Sequence, residues 1–308
     1  MPNNLKILKK PISTQRNVVL VATGIIILTI GIWLWWQNIY STPGRVFWAT
    51  INNNLVTTGV TKHVLPTSQD STTSVDQYTR LSFGAQNLVR SQSTLTQESD
   101  ASKSTVVTET VGTVNNDYAR YISIKTDQKN ANGKPLDFTK IQGIWGKSQD
   151  TAAGQPSSAS YFRQAVLGLV PFAHFDSTTR SQVLDYMHTN DVYNVDFSKT
   201  QKTTQNGKSA YVYTVNIMPK AYATLLVNLN KRLGLGPLEG LDPTSYDGAP
   251  PIKAVFTIDK NARQLISVKY LNNNQEEDYS DYGLNTPFNL PTQTIPISEL
   301  QNRIQSIQ

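Results

Sequence analysis

The sequence contains no cysteine. That excludes a disulfide framework, a thiolate zinc site, an iron–sulfur cluster and a cysteine nucleophile. It also removes the acylated cysteine by which bacterial lipoproteins are tethered. Histidine is nearly as scarce, with only His63, His174 and His188 in 308 residues. No metal-ligand spacing stands out among them, and His174 reads as a helix-end residue ahead of an N-cap at Asp176 or Ser177. A phosphate-binding glycine loop and a Gly-x-Ser-x-Gly elbow are both missing. Charged residues are few at 16%, against 38% hydrophobic, which is a globular composition and not a disordered one.

Acidic residues are absent from the first 36 positions, where Lys6, Lys9, Lys10 and Arg16 account for most of the net charge of +6. The rest of the chain carries 24 basic against 22 acidic side chains. A nucleic-acid surface needs basic residues gathered along a face, and the body of this protein is close to neutral, so no nucleic-acid partner is expected.

One long hydrophobic run is present. From Val18 to Trp36 the chain reads VVLVATGIIILTIGIWLWW, nineteen residues without a charge. At a rise of about 1.5 Å per residue, a helix of that length roughly crosses a hydrocarbon core of about 30 Å. Trp33, Trp35, Trp36 and Tyr40 gather at one end, where amphipathic rings favour the interface. The bulky tryptophans occupy the place where a signal peptide would carry small residues before its cleavage site. The expected organisation is a basic cytoplasmic tail (1–17), a transmembrane helix (18–36), a hinge (37–43) and an extracytoplasmic domain (44–308). The basic flank puts the N-terminus in the cytoplasm by the positive-inside rule.

In the exported part, Phe47, Trp48, Ile51 and Leu55 are spaced for a short amphipathic helix with Asn52–Asn54 on its wet side. Between Ser74 and Asp127 the alternation of Thr, Ser, Val and Tyr predicts antiparallel strands, with Tyr118, Arg120, Ile122 and Ile124 on one face. Asn132-Gly133 and Asn206-Gly207 signal tight hairpins. Helices are predicted over 161–170, around Val183–Met187 and from Pro219, where Tyr222, Leu225, Leu226, Leu229 and Leu233 form a stripe that ends at Gly234. Strands are expected at 254–259, 264–271 and 275–282, then a terminal helix at 298–308. Glu276, Glu277, Asp278 and Asp281 form the densest acidic cluster and read as a solvated edge strand, with Glu276 and Asp278 on one face and Glu277 and Tyr279 on the other.

One helix, a long run of antiparallel strands, helices inserted mid-chain and a last hairpin make an α+β pattern. KAVFTIDKNARQLISVKYL, followed by EEDYSDYGLNTPFNLP, and the strand-into-helix stretch YVYTVNIMPKAYATLLVNL resemble the closing hairpin and lid region of the periplasmic lipoprotein-carrier superfamily, of the LolA and LppX type. The resemblance implies a curved antiparallel sheet, a half-barrel covered by helices, that holds a hydrophobic or lipid-like ligand. Carriers are soluble or cysteine-lipidated, whereas this chain has a hydrophobic segment and no cysteine. Trp145, Phe162, Val166, Leu169, Phe172, Tyr222 and Leu226 are the candidate pocket residues, because they gather on the predicted helices and their flanking loops. No catalytic residue, metal or cofactor is expected, and the partners expected are the bilayer (through 18–36) and a hydrophobic small molecule. The alternatives are an interaction ectodomain that recognises a protein or cell-envelope component and, below that, a cell-envelope hydrolase.

Overall fold

A computed structural model describes residues 40–65, 72–84, 87–99, 102–130, 132–148, 159–236, 238, 240–272, 275–284 and 288–307, together with 26, 28 and 29. Helix α1 (Pro43–Asn54) leads into strands that follow one another in the chain and in space: β1 (Gly59–Val64), β2 (Thr73–Ser82), β3 (Leu88–Ser99), β4 (Ser102–Thr113) and β5 (Asp117–Thr126), with the short β6 (Trp145–Lys147) beyond them. Helices α2 (Tyr161–Val166) and α3 (Ser177–Thr189) precede β7 (Tyr193–Val195), β8 (Gln201–Gln205) and β9 (Lys208–Ile217). After α4 (Pro219–Arg232) come β10 (Ile252–Asp259), β11 (Gln264–Tyr270), β12 (Glu276–Ser280), β13 (Thr294–Pro296) and α5 (Ile297–Gln305).

All thirteen strands join one curved, unclosed sheet in the order β13-β6-β5-β4-β3-β2-β1-β12-β11-β10-β9-β7, with β8 also on β9. The pairing that makes it one sheet is β1 with β12, which sets Lys62 against Tyr279 and Val64 against Glu277 across more than half of the chain. Glu276, Glu277 and Asp278 therefore sit on an interior strand and not on a solvated edge, while Asp281 lies beyond its end. Local pattern could not reveal this, because the partner strand is remote in sequence. The expected division of faces does hold: Glu277 is buried, and so is Tyr279.

The core lies on the inner face of the sheet, under α1, α2, α3 and α4. Val46, Phe47, Ile51 and Leu55 of α1 are almost completely buried. The Phe47 ring meets Tyr213 edge-on at 5.4 Å between centroids and stacks on Phe256 at 6.2 Å. Asn54, expected on the wet side of α1, is instead fully buried together with Thr50, because the helix presses two adjacent stripes against the sheet. Helix α2 stops at Val166, short of the 170 expected, just before Gly168 and Pro171. Helix α4 follows its sequence signals, with Pro219 in the first turn, Lys231 and Arg232 in the last, and Gly234 at φ 65° beyond it.

At Asn206-Gly207 the two turn residues take φ of 51° and 74°, and they join β8 to β9. A 3-10 turn at Phe197–Lys199 interrupts the chain ahead of this hairpin, so β7 and β8 pair successively along β9. Asn132-Gly133 turns the chain within a loop closed by a single bridge, Lys129 to Pro135. Among the described residues no helix is long and apolar enough to cross a membrane. The span expected at 18–36 lies outside those residues except for the helical Ile26, Leu28 and Thr29.

Candidate functional site

The register of β1–β5 decides which side chains face inward. Directly paired residues share a face, and alternate residues along a strand share it too. Val60, Leu81 and Val89 point into the core, so the inner face is read outward from them in rows. The next row is Lys62, Thr79, Ser91, Thr110 and Ala119. Then come Val64, Gln77, Ser93, Thr108 and Tyr121, and beyond them Val75, Leu95, Val106 and Ile124. Ile124 reaches this row because a bulge at Ile122 shifts β5 by one residue, which also breaks the strict alternation expected from the sequence. A last row, Thr73, Gln97, Ser104 and Thr126, is polar.

The inner face of β2–β5 thus carries a buried aliphatic row, a two-row band of hydroxyls and amides, an aliphatic row and a polar rim. Thr79 and Ser91 are buried and hydrogen-bonded to each other at 3.1 Å, while Gln77 Nε2 donates to Ser91 Oγ at 3.1 Å. The outer aliphatic row is only partly covered: Leu95, Val106 and Ile124 are half-buried and Val75 is 40% exposed. This shallow trough is bounded on its core side by α2.

Helix α2 is fixed there by three contacts. Asp117 Oδ2 accepts from the backbone N–H of Ser160 at 2.8 Å and of Tyr161 at 3.2 Å, capping the helix from the sheet. The Tyr161 hydroxyl accepts from Gln77 Nε2 at 3.2 Å and shares hydrogen bonds with Thr79 and Ser91. Phe162 is buried and meets Phe83 edge-on at 6.2 Å. Burial pushes the Asp117 carboxyl above its ordinary value, partly offset by the Ser160 and Tyr161 N–H groups. Burial likewise raises Tyr161, against the hydrogen bonds that its hydroxyl makes.

Only three charged side chains of β1–β5 and β12 turn inward: Asp117, Lys62 and Glu277. The last two meet at the end of the hydroxyl band, with Lys62 Nζ 3.4 Å from Glu277 Oε1. Glu277 Oε2 accepts from the Tyr279 hydroxyl at 2.6 Å, and Tyr270 donates to the same carboxylate. Tyr279 is held well above its ordinary range by burial first and by the Glu277 charge second. The Tyr222 hydroxyl, raised by burial first and by the neighbouring Tyr193 second, donates to the carbonyl of Gly168.

Of the residues singled out from the sequence, Phe162, Val166, Phe172 and Tyr222 are buried in one cluster, with Leu169 and Leu226 packed against it. Trp145 is not brought to them. It points to the outer face of the sheet, where the Arg120 guanidinium lies over its ring at 4.6 Å. There it lines an open cleft of about 560 Å³ with the 289–295 segment. A second open cleft, of about 670 Å³, lies between Tyr186, Pro219, Lys220 and Tyr246. The trough rows were missed in the sequence. Their signal is the period-two recurrence of Thr, Ser and Gln through Gln77, Thr79, Ser91 and Ser93, but which face it marks depends on pairing.

A histidine does come within reach of a carboxylate: His63 Nε2 lies 2.7 Å from Asp76 Oδ1, under a Tyr78 ring stacked at 3.9 Å. This pair is on the outer face and lines neither cleft. Among the described residues no group of three or more His, Asp or Glu side chains could hold a metal ion.

No protein-family model matches the chain, and no curated protein matches it either. Among solved structures it is similar to LprF from Mycobacterium bovis, at 11% identity over 82% of this chain and 97% of that one, with a TM-score of 0.40. That is a distant likeness of fold, and it carries no weight for what the chain binds.

Proposed function

We propose that the domain is a non-catalytic binding module for a hydrophobic or lipid-like molecule, which it takes into the half-barrel trough on the inner face of β2–β5. The observation that carries this reading is the cross-strand row Val75, Leu95, Val106 and Ile124. It is four aliphatic side chains wide, half-exposed, and set beyond a band of hydroxyls. Three interstrand steps of about 4.8 Å give a strip of about 14 Å, long enough for an acyl chain to lie across the strands. The adjoining row of Ser93, Thr108 and Tyr121 is half-buried and supplies polar partners for a headgroup. The 18–36 segment completes the proposal as an N-in anchor holding the module at the outer side of its membrane.

The test is organic extraction and mass spectrometry of the full chain purified from its membrane. Wild type is expected to carry an amphiphile that Leu95→Asp lacks, because a carboxylate in that row strips the strip of its apolar character. Consistently empty wild-type protein, or an unchanged load in Leu95→Asp, overturns the reading.

A further inference from the structure

The trough has an asymmetry in charge that the aliphatic row does not explain. Every other charged side chain on β1–β5 and β12 points outward, except Asp117, which is engaged in capping α2. The Lys62–Glu277 pair alone faces the interior beside the hydroxyl band. Its two members are held very differently. Glu277 is short, its side chain is only 7% exposed, and it is secured by the hydroxyls of Tyr279 and Tyr270. Lys62 has a long flexible stem, is 20% exposed, and reaches Glu277 by one contact of 3.4 Å. Its cross-strand neighbour is Thr79, next to Gln77 and Ser91 in the band.

We infer that Lys62 is the headgroup-selecting residue of the trough, and that it swings from Glu277 to bind the anionic head of a single-chain amphiphile such as a carboxylate. This inference rests on the trough reading above. When Lys62 leaves, Glu277 keeps two hydroxyl donors and is not stranded, which is the usual cost of breaking a buried pair. The anionic head gains a charge-assisted hydrogen bond from Lys62. The head then lies beside β1 and β2 while the tail runs past the Val64–Gln77 row onto Val75 and Leu95, a longer tail continuing over Val106 and Ile124. A neutral head would use the hydroxyls alone.

The experiment uses native membranes carrying the full chain, labelled with a diazirine-bearing dodecanoate and competed with either dodecanoate or dodecanol. In wild type, dodecanoate should compete at about tenfold lower concentration than dodecanol, the worth of one charge-assisted hydrogen bond partly offset by the lost ion pair. Lys62→Met should abolish that preference and leave dodecanol competition unchanged. Glu277→Gln, which frees Lys62, should sharpen the preference and so separates selection from a merely structural role. Equal competition by acid and alcohol in wild type, or a preference that survives Lys62→Met, overturns the assignment while the trough stands. Absence of labelling, or labelling that persists in Leu95→Asp, overturns the trough and this inference with it.

Discussion

Helix α2 is seated on a glycine, which makes Gly112→Ala a direct test of how the trough is bounded. A methyl carbon added at Gly112 would stand 2.7 Å from the backbone nitrogen of Phe162, 3.0 Å from Tyr161 Cβ and 3.0 Å from Val89 Cγ1. The nearest atom is backbone, so relief requires movement of the helix and not of a side-chain tip. That helix is tied down by the Asp117 cap, the Tyr161 hydroxyl and the buried Phe162 ring. Overpacking of this kind costs about 1–3 kcal/mol. Alanine is better than glycine inside a strand by roughly 0.5–1 kcal/mol, which acts in the opposite direction. The net expectation is a loss of up to about 2.5 kcal/mol in urea unfolding at unchanged m, with faster amide exchange confined to 159–166. Gly168→Ala is the control, since only the Val170 carbonyl, at 3.9 Å, lies near the added carbon. It should be neutral or slightly stabilising. A Gly112→Ala protein as stable as wild type, with α2 protection intact, would refute the packing on which the trough boundary depends.

Asp117→Asn keeps an acceptor for the Ser160 and Tyr161 N–H groups but removes the titration. The folded carboxyl is raised above its ordinary 3.8, so between that value and the raised one the native state holds more protons than the unfolded chain. Stability contributed by Asp117 therefore grows as pH falls through this window, and Asn should erase the increment in pH-dependent urea midpoints. On the outer face, Glu109 is buried between Arg90 Nε at 2.5 Å and Arg120 Nε at 2.7 Å. Both arginines are partly exposed and can rehydrate, so Glu109→Gln should cost about 1–2 kcal/mol in urea unfolding, below the usual range for breaking a fully buried pair. Protease added outside intact cells should remove the folded domain and leave an N-terminal tag protected; digestion of the tag would overturn the N-in anchor.

Local features were legible in the sequence where a short segment determines its own conformation. The Pro219 start and Gly234 end of α4, the Asp176 cap of α3, and the Asn206-Gly207 turn are of this kind, because each depends on a few adjacent residues. The acidic run at 276–278 was legible only as far as its alternation. Its interior position follows from β1, whose pairing partner is more than two hundred residues away in sequence. The candidate site divides the same way. Helical spacing found the aromatic and aliphatic residues that crowd the core side, Phe162, Val166, Phe172 and Tyr222. It could not find the rows of the trough, since a Thr or Ser at period two marks one face of a strand without saying whether that face is wet.

The order of those rows bears on what the face is for. Were the inner face of β2–β5 simply more core, the positions of Thr79, Ser91 and Thr110 would be expected to be aliphatic like Leu81 and Val89. Burying hydroxyls brings only what their mutual hydrogen bonds return, as at the 3.1 Å Thr79–Ser91 contact. Were it simply a wetted face, the row Val75, Leu95, Val106 and Ile124 would be expected to resemble its outer neighbours Thr73, Gln97, Ser104 and Thr126. Gln77, Thr79 and Ser91 serve as the seat of the Tyr161 hydroxyl, but neither alternative accounts for the aliphatic row beyond them. An amphiphile does, if its head turns toward Lys62 and its tail crosses the strands, because each row then meets matter of its own polarity. Replacing the band and not the strip should accordingly change which head is accepted while leaving tail binding in place. Thr108→Val together with Ser93→Ala makes that change with little alteration of volume, and the ratio of dodecanoate to dodecanol competition reads it.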